Sequence, residues 1–117
     1  MATVWVIRGG ERHRLVQTFL DSGAIGVGFP ELPDGRTVDR AKALRLLGGQ
    51  PDAEGQAARF LSFVRRVTVG DLVLMPDPAA GGFPVGVVAG DYEYRDDVAL
   101  DRYRHRRPVE WRRRLPF

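Results

Sequence analysis

The sequence predicts a mixed α/β domain, a small and strongly curved sheet or β-barrel with helices packed outside it. Three observations predict it. The apolar periodicity switches between strand and helix in the order β-α-β-α-α-β-β-β. The strands are short, and one pair is joined by a tight Pro- and Gly-rich hairpin. Too few strands alternate with helices for a doubly wound sheet. With 117 residues and 44% apolar content, the chain makes one domain, 1–117, around one core.

Each element has its own signal. Ala2 to Ile7 is a β-rich run closed by Gly9-Gly10. In it Trp5 points opposite to Val4 and Val6, and the valines are expected to face the core. Glu11 to Asp21 reads as a helix with Leu15, Val16, Phe19 and Leu20 on one face, stopped by Ser22-Gly23. Ala24 to Phe29 is a glycine-laced strand and Pro30 to Gly35 a loop. A second helix starts within Asp34 to Thr37, turns Val38, Ala41, Leu44 and Leu47 inward, and ends at Gly48-Gly49. A third, Glu54 to Arg66, places Ala57, Phe60, Leu61 and Val64 on one face. Asp71 to Met75 and Phe83 to Ala89 are strands around the Pro76 to Gly82 hairpin loop, the second bending at Gly90 into Asp91 to Tyr94. Arg95 to Asp101 is an acidic loop, and Tyr103 to Trp111 is the last strand.

Composition excludes several chemistries. With no cysteine, there is no disulfide, iron–sulfur cluster, cysteine nucleophile or Cys-ligated zinc. No apolar run approaches the roughly 20 residues needed to cross a bilayer, so no membrane partner is expected. The start MATVWVIRGG lacks a basic region ahead of a long apolar run, so a secretory signal is not expected and a cytoplasmic setting is. Seventeen of the 18 basic residues are arginine, and residues 102–117 hold seven of them against one acid, Glu110. Such polarity is either the footprint of a polyanion or a solvated basic tail.

Catalytic signals are weak. His13 and His105 are the only histidines and lie far apart, without a third ligand at metal spacing. Gly9-Gly10 lacks the spacing of a nucleotide loop. Lys42 has only Asp39 beside it, which reads as a surface ion pair, and neither Ser22 nor Ser62 sits in a nucleophile elbow. The chain is therefore read as non-catalytic, with no cofactor and no metal. Among the aromatics, Tyr92 and Tyr94 share a face beside a glycine kink. They are either core or a wall on which a planar base stacks.

The ordered segments IRGG, GVGF, GQAARFL running into VTVGDLVLMP, GVVAGDYEY and HRRPVEW extend along almost the whole chain. Together they resemble the N-terminal module of Mrr-type restriction endonucleases, of the PUA-like group of small barrels that also holds the EVE, YTH and SRA domains. Gln56, Arg59, Phe60 and Leu61 match the helix pattern. Gly70, Asp71 and Pro76 match the following strand, Gly90 to Tyr94 the segment after the hairpin, and His105, Arg107, Val109 and Trp111 the closing H-x-R-x-V-x-W. Phe29 and Ala58 depart from the pattern, each standing where tryptophan is expected. The Ala58 departure reads as a change in packing.

The resemblance implies a DNA-binding reader that accepts a flipped, modified cytosine, 5-methylcytosine, as the targeting part of a type IV restriction system. A nuclease domain, in cis or in trans, would be its partner. Trp5, Phe29, Tyr92 and Tyr94 are then the candidate aromatic walls. The backbone N–H groups of Arg8, Gly9 and Gly10 are candidates for the base edge. Gln56 either reads a base edge or makes a helix-end hydrogen bond to a neighbouring loop. Arg59, Arg102, Arg104, Arg106 and Arg107 are the candidate phosphate ligands, Arg59 alternatively pairing with an acid inside the fold. His105 is expected to be a strand hydrogen-bonder. Two rivals stand beside this reading: a reader of methylated RNA bases, and a protein or small-ligand module.

Overall fold

The computed structural model describes residues 2–97 and 99–116. Among the described residues nine regular elements follow one another: β1 (Val4–Val6), α1 (Val16–Ser22), β2 (Ala24–Val27), α2 (Arg40–Leu47), α3 (Ala53–Arg65), β3 (Leu72–Leu74), β4 (Phe83–Val88), β5 (Glu93–Tyr94) and β6 (His105–Leu115). Single 3-10 turns occupy Glu11–His13, Gly35–Thr37 and Ala99–Arg102. The sheet runs β1-β3-β4-β6-β2, with β5 also on β6. β1 lies parallel to β3 and every other pairing is antiparallel.

β6 is the spine. Its first half pairs with β2 and β5 and its second half with β4, and a bulge at Arg112, opposite Val85 and Gly86, interrupts the β4 pairing. A bulge bends its strand and increases the local twist, so the sheet curls. It does not close: β1 and β2 remain its two edges. The expected mixed, curved sheet is present, as an open half-barrel rather than a closed barrel.

The helices are set by their caps as much as by their apolar stripes. The expected first helix splits, because Arg12 and His13 take positive φ after Gly10, and only Val16–Ser22 is α-helical, ended by Gly23 in the left-handed region. Asp39 caps α2 by accepting from the Lys42 N–H, so this carboxylate serves the helix end. α2 buries Ala43 and Leu47 and leaves Ala41 exposed, a quarter-turn from the face the sequence predicted. Asp52 caps α3, which buries Ala57, Phe60, Phe63 and Val64.

On β1 the sequence expectation is inverted. Val4 and Val6 are 51% and 66% exposed, while Trp5 packs against the core. The inward row across the sheet is Trp5, Val73, Gly86 and Trp111. Gly86 leaves room there for the Trp111 ring, since a Cβ at that position would lie 2.9 Å from it.

Two arginines and one histidine of β6 are interior. Arg107 is 4% exposed and gives its guanidinium to the carbonyls of Phe63 and Val64 at 3.2 and 2.8 Å, closing the C-terminal end of α3. Arg106, also 4% exposed, donates to the carbonyls of Tyr103 and Ala99 and pairs with Asp97 at 2.7 Å. Neither is placed to hold a phosphate.

His105 is 1% exposed. Its Nε2 lies 3.2 Å from the Phe29 carbonyl, which only accepts, so Nε2 carries the proton. Nδ1 then accepts from the Tyr92 hydroxyl at 2.6 Å, and the same hydroxyl oxygen accepts from the Gly35 N–H at 2.9 Å. Burial pushes the Tyr92 phenol up to about 12 and pulls the His105 imidazole below its ordinary 6.5.

That shift fixes the sign of a pH dependence. The unfolded chain binds the His105 proton more readily than the folded one. The contribution is therefore complete above pH 6.5 and lost as pH falls through 6.5 toward the folded value. Thermal melts are expected to show stability falling between about pH 7 and 5, above the range where carboxylates titrate. In His105→Gln this stretch flattens, and the variant is less stable at pH 7 by about 1–3 kcal/mol. A melting temperature independent of pH over this range in the parent chain contradicts the assignment.

Candidate functional site

The open seam of the half-barrel forms a cleft of about 790 Å³. One wall is the β1 edge and the turn after it, from Trp5 to Arg8 with Gly10 and Glu11. The other is β2 and its continuation, Gly26 to Phe29. The back is α3, through Ala58, Arg59, Ser62 and Phe63, and Tyr103 closes one side. Its lining is mainly apolar, with charged groups at the exposed Arg8, Glu11 and Arg59.

Both strand edges turn main-chain groups into the seam. The Leu72 N–H bonds the Thr3 carbonyl and the Ile7 N–H bonds the Leu74 carbonyl. The odd-numbered residues of β1 are thus tied to β3, and the N–H and C=O of Val6 face away from it. On β2 the Val109 N–H bonds the Gly23 carbonyl, so by the same alternation Gly26 directs its main chain away from β6.

The two aromatic walls are held from behind. The Trp5 indole N–H donates to Asp71 at 2.9 Å, and the Thr3 and Thr68 N–H groups donate to the same carboxylate at 3.1 and 2.9 Å. These bonds, the Trp5 one foremost, hold the Asp71 carboxyl below its ordinary value. With its N–H committed to Asp71, Trp5 lines the cleft with no free donor on its indole. Phe29 has φ +54°, and its carbonyl accepts from both Leu32 N–H and His105. Its ring meets Phe60 edge-on at 5.3 Å between centroids.

Of the residues singled out in the sequence, the cleft brings together Trp5, Arg8, Gly10, Phe29 and Arg59. Gly9 lies behind it, buried against Val16. Gln56 donates to the Pro51 carbonyl at 2.9 Å, the helix-end bond to a neighbouring loop. Tyr92 and Tyr94 do share a side of the chain, but that side faces His105 in the interior and not the cleft. Arg59 sits 3.5 Å from Asp52 with both groups well exposed, a weak pair. Arg104 pairs with Asp96 at 3.2 Å. Arg102 is exposed and has no ion pair among the described residues.

The basic C-terminal segment is therefore less basic in space than in sequence. Arg106 and Arg107 are interior, Arg104, Arg112 and Arg114 face Asp96, Glu110 and Asp77, and Arg102 and Arg113 stay unpaired among the described residues. Sequence reading missed Asp71 as the anchor of Trp5, and it missed Tyr103. It read Ala58 as a packing change, whereas Ala58 lines the cleft, so the missing tryptophan leaves the site wider. The alternating glycines of GVGF were its available signal for the second wall. No group of three or more His, Cys, Asp or Glu side chains is arranged to hold a metal among the described residues, and none of the described helices is long and apolar enough to cross a membrane.

A family model described as a domain of unknown function (DUF8426) matches residues 5–116, and the chain belongs to that family. No curated protein matches it. Among solved structures, the crystal structure of the YTH domain of Zygosaccharomyces rouxii MRB1 protein in complex with N6-methyladenosine RNA is similar. It gives a TM-score of 0.51 at 16% identity, over 98% of this chain and 61% of that one. The likeness shows the fold alone, shared with a domain crystallised with N6-methyladenosine RNA, and the chain spans about three fifths of that protein's length. It carries no link to Mrr-type enzymes.

The Asp71 anchor makes a spectroscopic prediction. Trp5 and Trp111 are the only tryptophans. In a Trp111→Phe background, Asp71→Ala is expected to red-shift the emission of Trp5 and lower its anisotropy. Asp71→Asn, which keeps one acceptor oxygen for the indole, stays near the parent. Identical spectra in all three exclude the anchoring role.

Proposed function

We propose that this member of DUF8426 is a non-catalytic nucleic-acid-binding module that takes one modified base, everted from its strand, into the cleft between β1 and β2. The observation that carries the reading is the cleft itself, an open seam with Trp5 and Phe29 on facing walls and arginines at its rim. Eversion costs a few kcal/mol of stacking, which aromatic faces and hydrogen bonds to the base edge must offset. The ring faces of Trp5 and Phe29 supply the first, worth about 1–3 kcal/mol per stacked base. The outward main-chain groups of Val6 and Gly26 and the Glu11 carboxylate supply partners for the second. Arg8, Arg59 and Arg102 grip the flanking phosphates and position the strand without reading it.

For the base, the first reading is 5-methylcytosine in DNA. It rests on the resemblance of the ordered segments to the targeting module of Mrr-type enzymes, and it makes a nuclease domain, in cis or in trans, the partner. The second is N6-methyladenine in RNA, favoured by the shared fold with a domain crystallised on such RNA. Burying one methyl group gives about 0.8 kcal/mol, about fourfold in affinity, and a pocket shaped around it reaches about ten- to two-hundredfold.

The test is a binding panel of one oligonucleotide, as DNA and as RNA, carrying C, 5-methyl-C, A or N6-methyl-A. A methylated member is expected to bind at least about fourfold tighter than its unmodified parent. With three phosphate contacts the logarithmic salt slope should lie near about −2 to −3, far from the value the seven C-terminal arginines alone suggest. Trp5→Ala should weaken binding about ten- to hundredfold. A Cβ at Gly28 meets nothing within 4 Å, so Gly28→Ala should bind normally while Gly28→Leu fills the cleft and abolishes binding in a folded protein. Equal affinity across the panel, or binding indifferent to Trp5→Ala and Gly28→Leu, overturns the reading.

A further inference from the structure

We propose that the outward face of β1, β3 and β4 is the seat of a second copy of this chain, in a two-fold symmetric dimer. Residues opposite one another on neighbouring strands point to the same face. The pairings therefore set out two outward rows, one of Val4, Leu72, Val87 and Glu110, the other of Val6, Leu74, Val85 and Arg113. The inward row of Trp5, Val73, Gly86 and Trp111 lies between them, on the core side. A sheet with one face in water normally alternates apolar residues inward and polar ones outward. Here all six outward positions of these rows on β1, β3 and β4 are apolar, with Val4 51%, Val6 66% and Leu72 36% exposed.

The two rows are the same in apolar content and opposite in charge at their β6 end. A two-fold axis crossing the strands between them lays each row of one copy on the other row of its partner. Valine then meets valine along β1, leucine meets leucine along β3, and valine meets valine along β4. Glu110 of one copy faces Arg113 of the other, twice per dimer. Arg113 has no carboxylate within ion-pair distance among the described residues, and Glu110 shares only the exposed Arg112 at 3.3 Å. A symmetric interface must be complementary to itself, and this face meets that condition in shape class and in charge. Two sheets packed face to face stand about 10 Å apart, which apolar side chains of this size fill. The two surfaces adjoin at Val6, which also borders the cleft, and the case for the dimer does not depend on what the cleft binds.

Sedimentation velocity and light scattering on the whole chain decide it. The expected result is a concentration-dependent dimer. Val4 is half exposed and outside the cleft, so Val4→Lys should leave the melting curve nearly unchanged while raising the dimer dissociation constant at least about a hundredfold, by burying two unpaired charges. Glu110→Arg and Arg113→Glu should each weaken the dimer by up to about tenfold, and the two combined should restore it, since each copy again offers one charge of each sign. A monomer at millimolar concentration overturns the proposal, as does a dimer unmoved by Val4→Lys. Failure of the combined exchange to bind tighter than either single variant overturns the two-fold arrangement.

Discussion

Burying an imidazole obliges both of its nitrogens to find partners, and at His105 that obligation ties together segments distant in sequence. The Nε2 N–H donates to the Phe29 carbonyl just past β2, and Nδ1 accepts from the Tyr92 hydroxyl just ahead of β5. The Tyr92 oxygen takes the Gly35 N–H, in the turn leading to α2. Phe60 of α3 stands edge-on to the imidazole at 4.8 Å. Phe29 holds a backbone conformation that a non-glycine residue rarely adopts. Its carbonyl is fixed twice, by His105 and by Leu32. The aromatic wall of the cleft thus inherits its position from a core hydrogen-bond chain rather than from the surface.

Arg107 extends the same logic two residues along β6. It ends α3 by donating to carbonyls that the helix itself leaves unpaired, and so fixes the helix that forms the back of the cleft. An arginine spent on a helix end cannot also hold a phosphate. The charge that the sequence concentrates near the C-terminus is in this way divided between framing the fold and pairing with acids. In the proposed reading, the cationic groups at the cleft itself are Arg8 and Arg59, which lie far from that segment in sequence and meet only at the seam.

The parts of the fold legible in the sequence were those set by local rules. Glycine stops, caps and apolar spacing placed the third helix, the hairpin and the ends of the first two helices to within a residue or two, while the starts of those two helices fall several residues further along. The β1 orientation was not legible, because alternation states only that Trp5 and the valines face opposite ways. The decision belongs to Asp71, 66 positions on, which accepts a hydrogen bond from the indole N–H and draws Trp5 inward. Tyr92 and Tyr94 illustrate the same limit. Their shared side followed from strand geometry, and its direction followed from His105, a residue of another strand. For the cleft, the glycine-rich turn and strand pointed to segments that line it, whereas Tyr103 and Asp71 enter only through tertiary contacts that no spacing encodes.

The seam also explains why the sheet is best left unclosed. Joining β1 to β2 would satisfy the main-chain groups of Val6 and Gly26, but it would remove the cleft and the polar edge that a planar ligand can use. Leaving both edges open carries the hazard of any unpaired strand, a template for another chain. Three features limit it here: β1 and β2 are only three and four residues long, α3 fills the gap behind them, and Gly26 of β2 offers no side chain to zip a foreign strand in register. The apolar outward face is a separate matter, since none of the described residues covers it. Its two rows differ chiefly in the sign of one charge, so a second copy covers it without any new sequence feature, and the same β6 strand that frames the cleft from within then carries the contacts that decide partner choice from without.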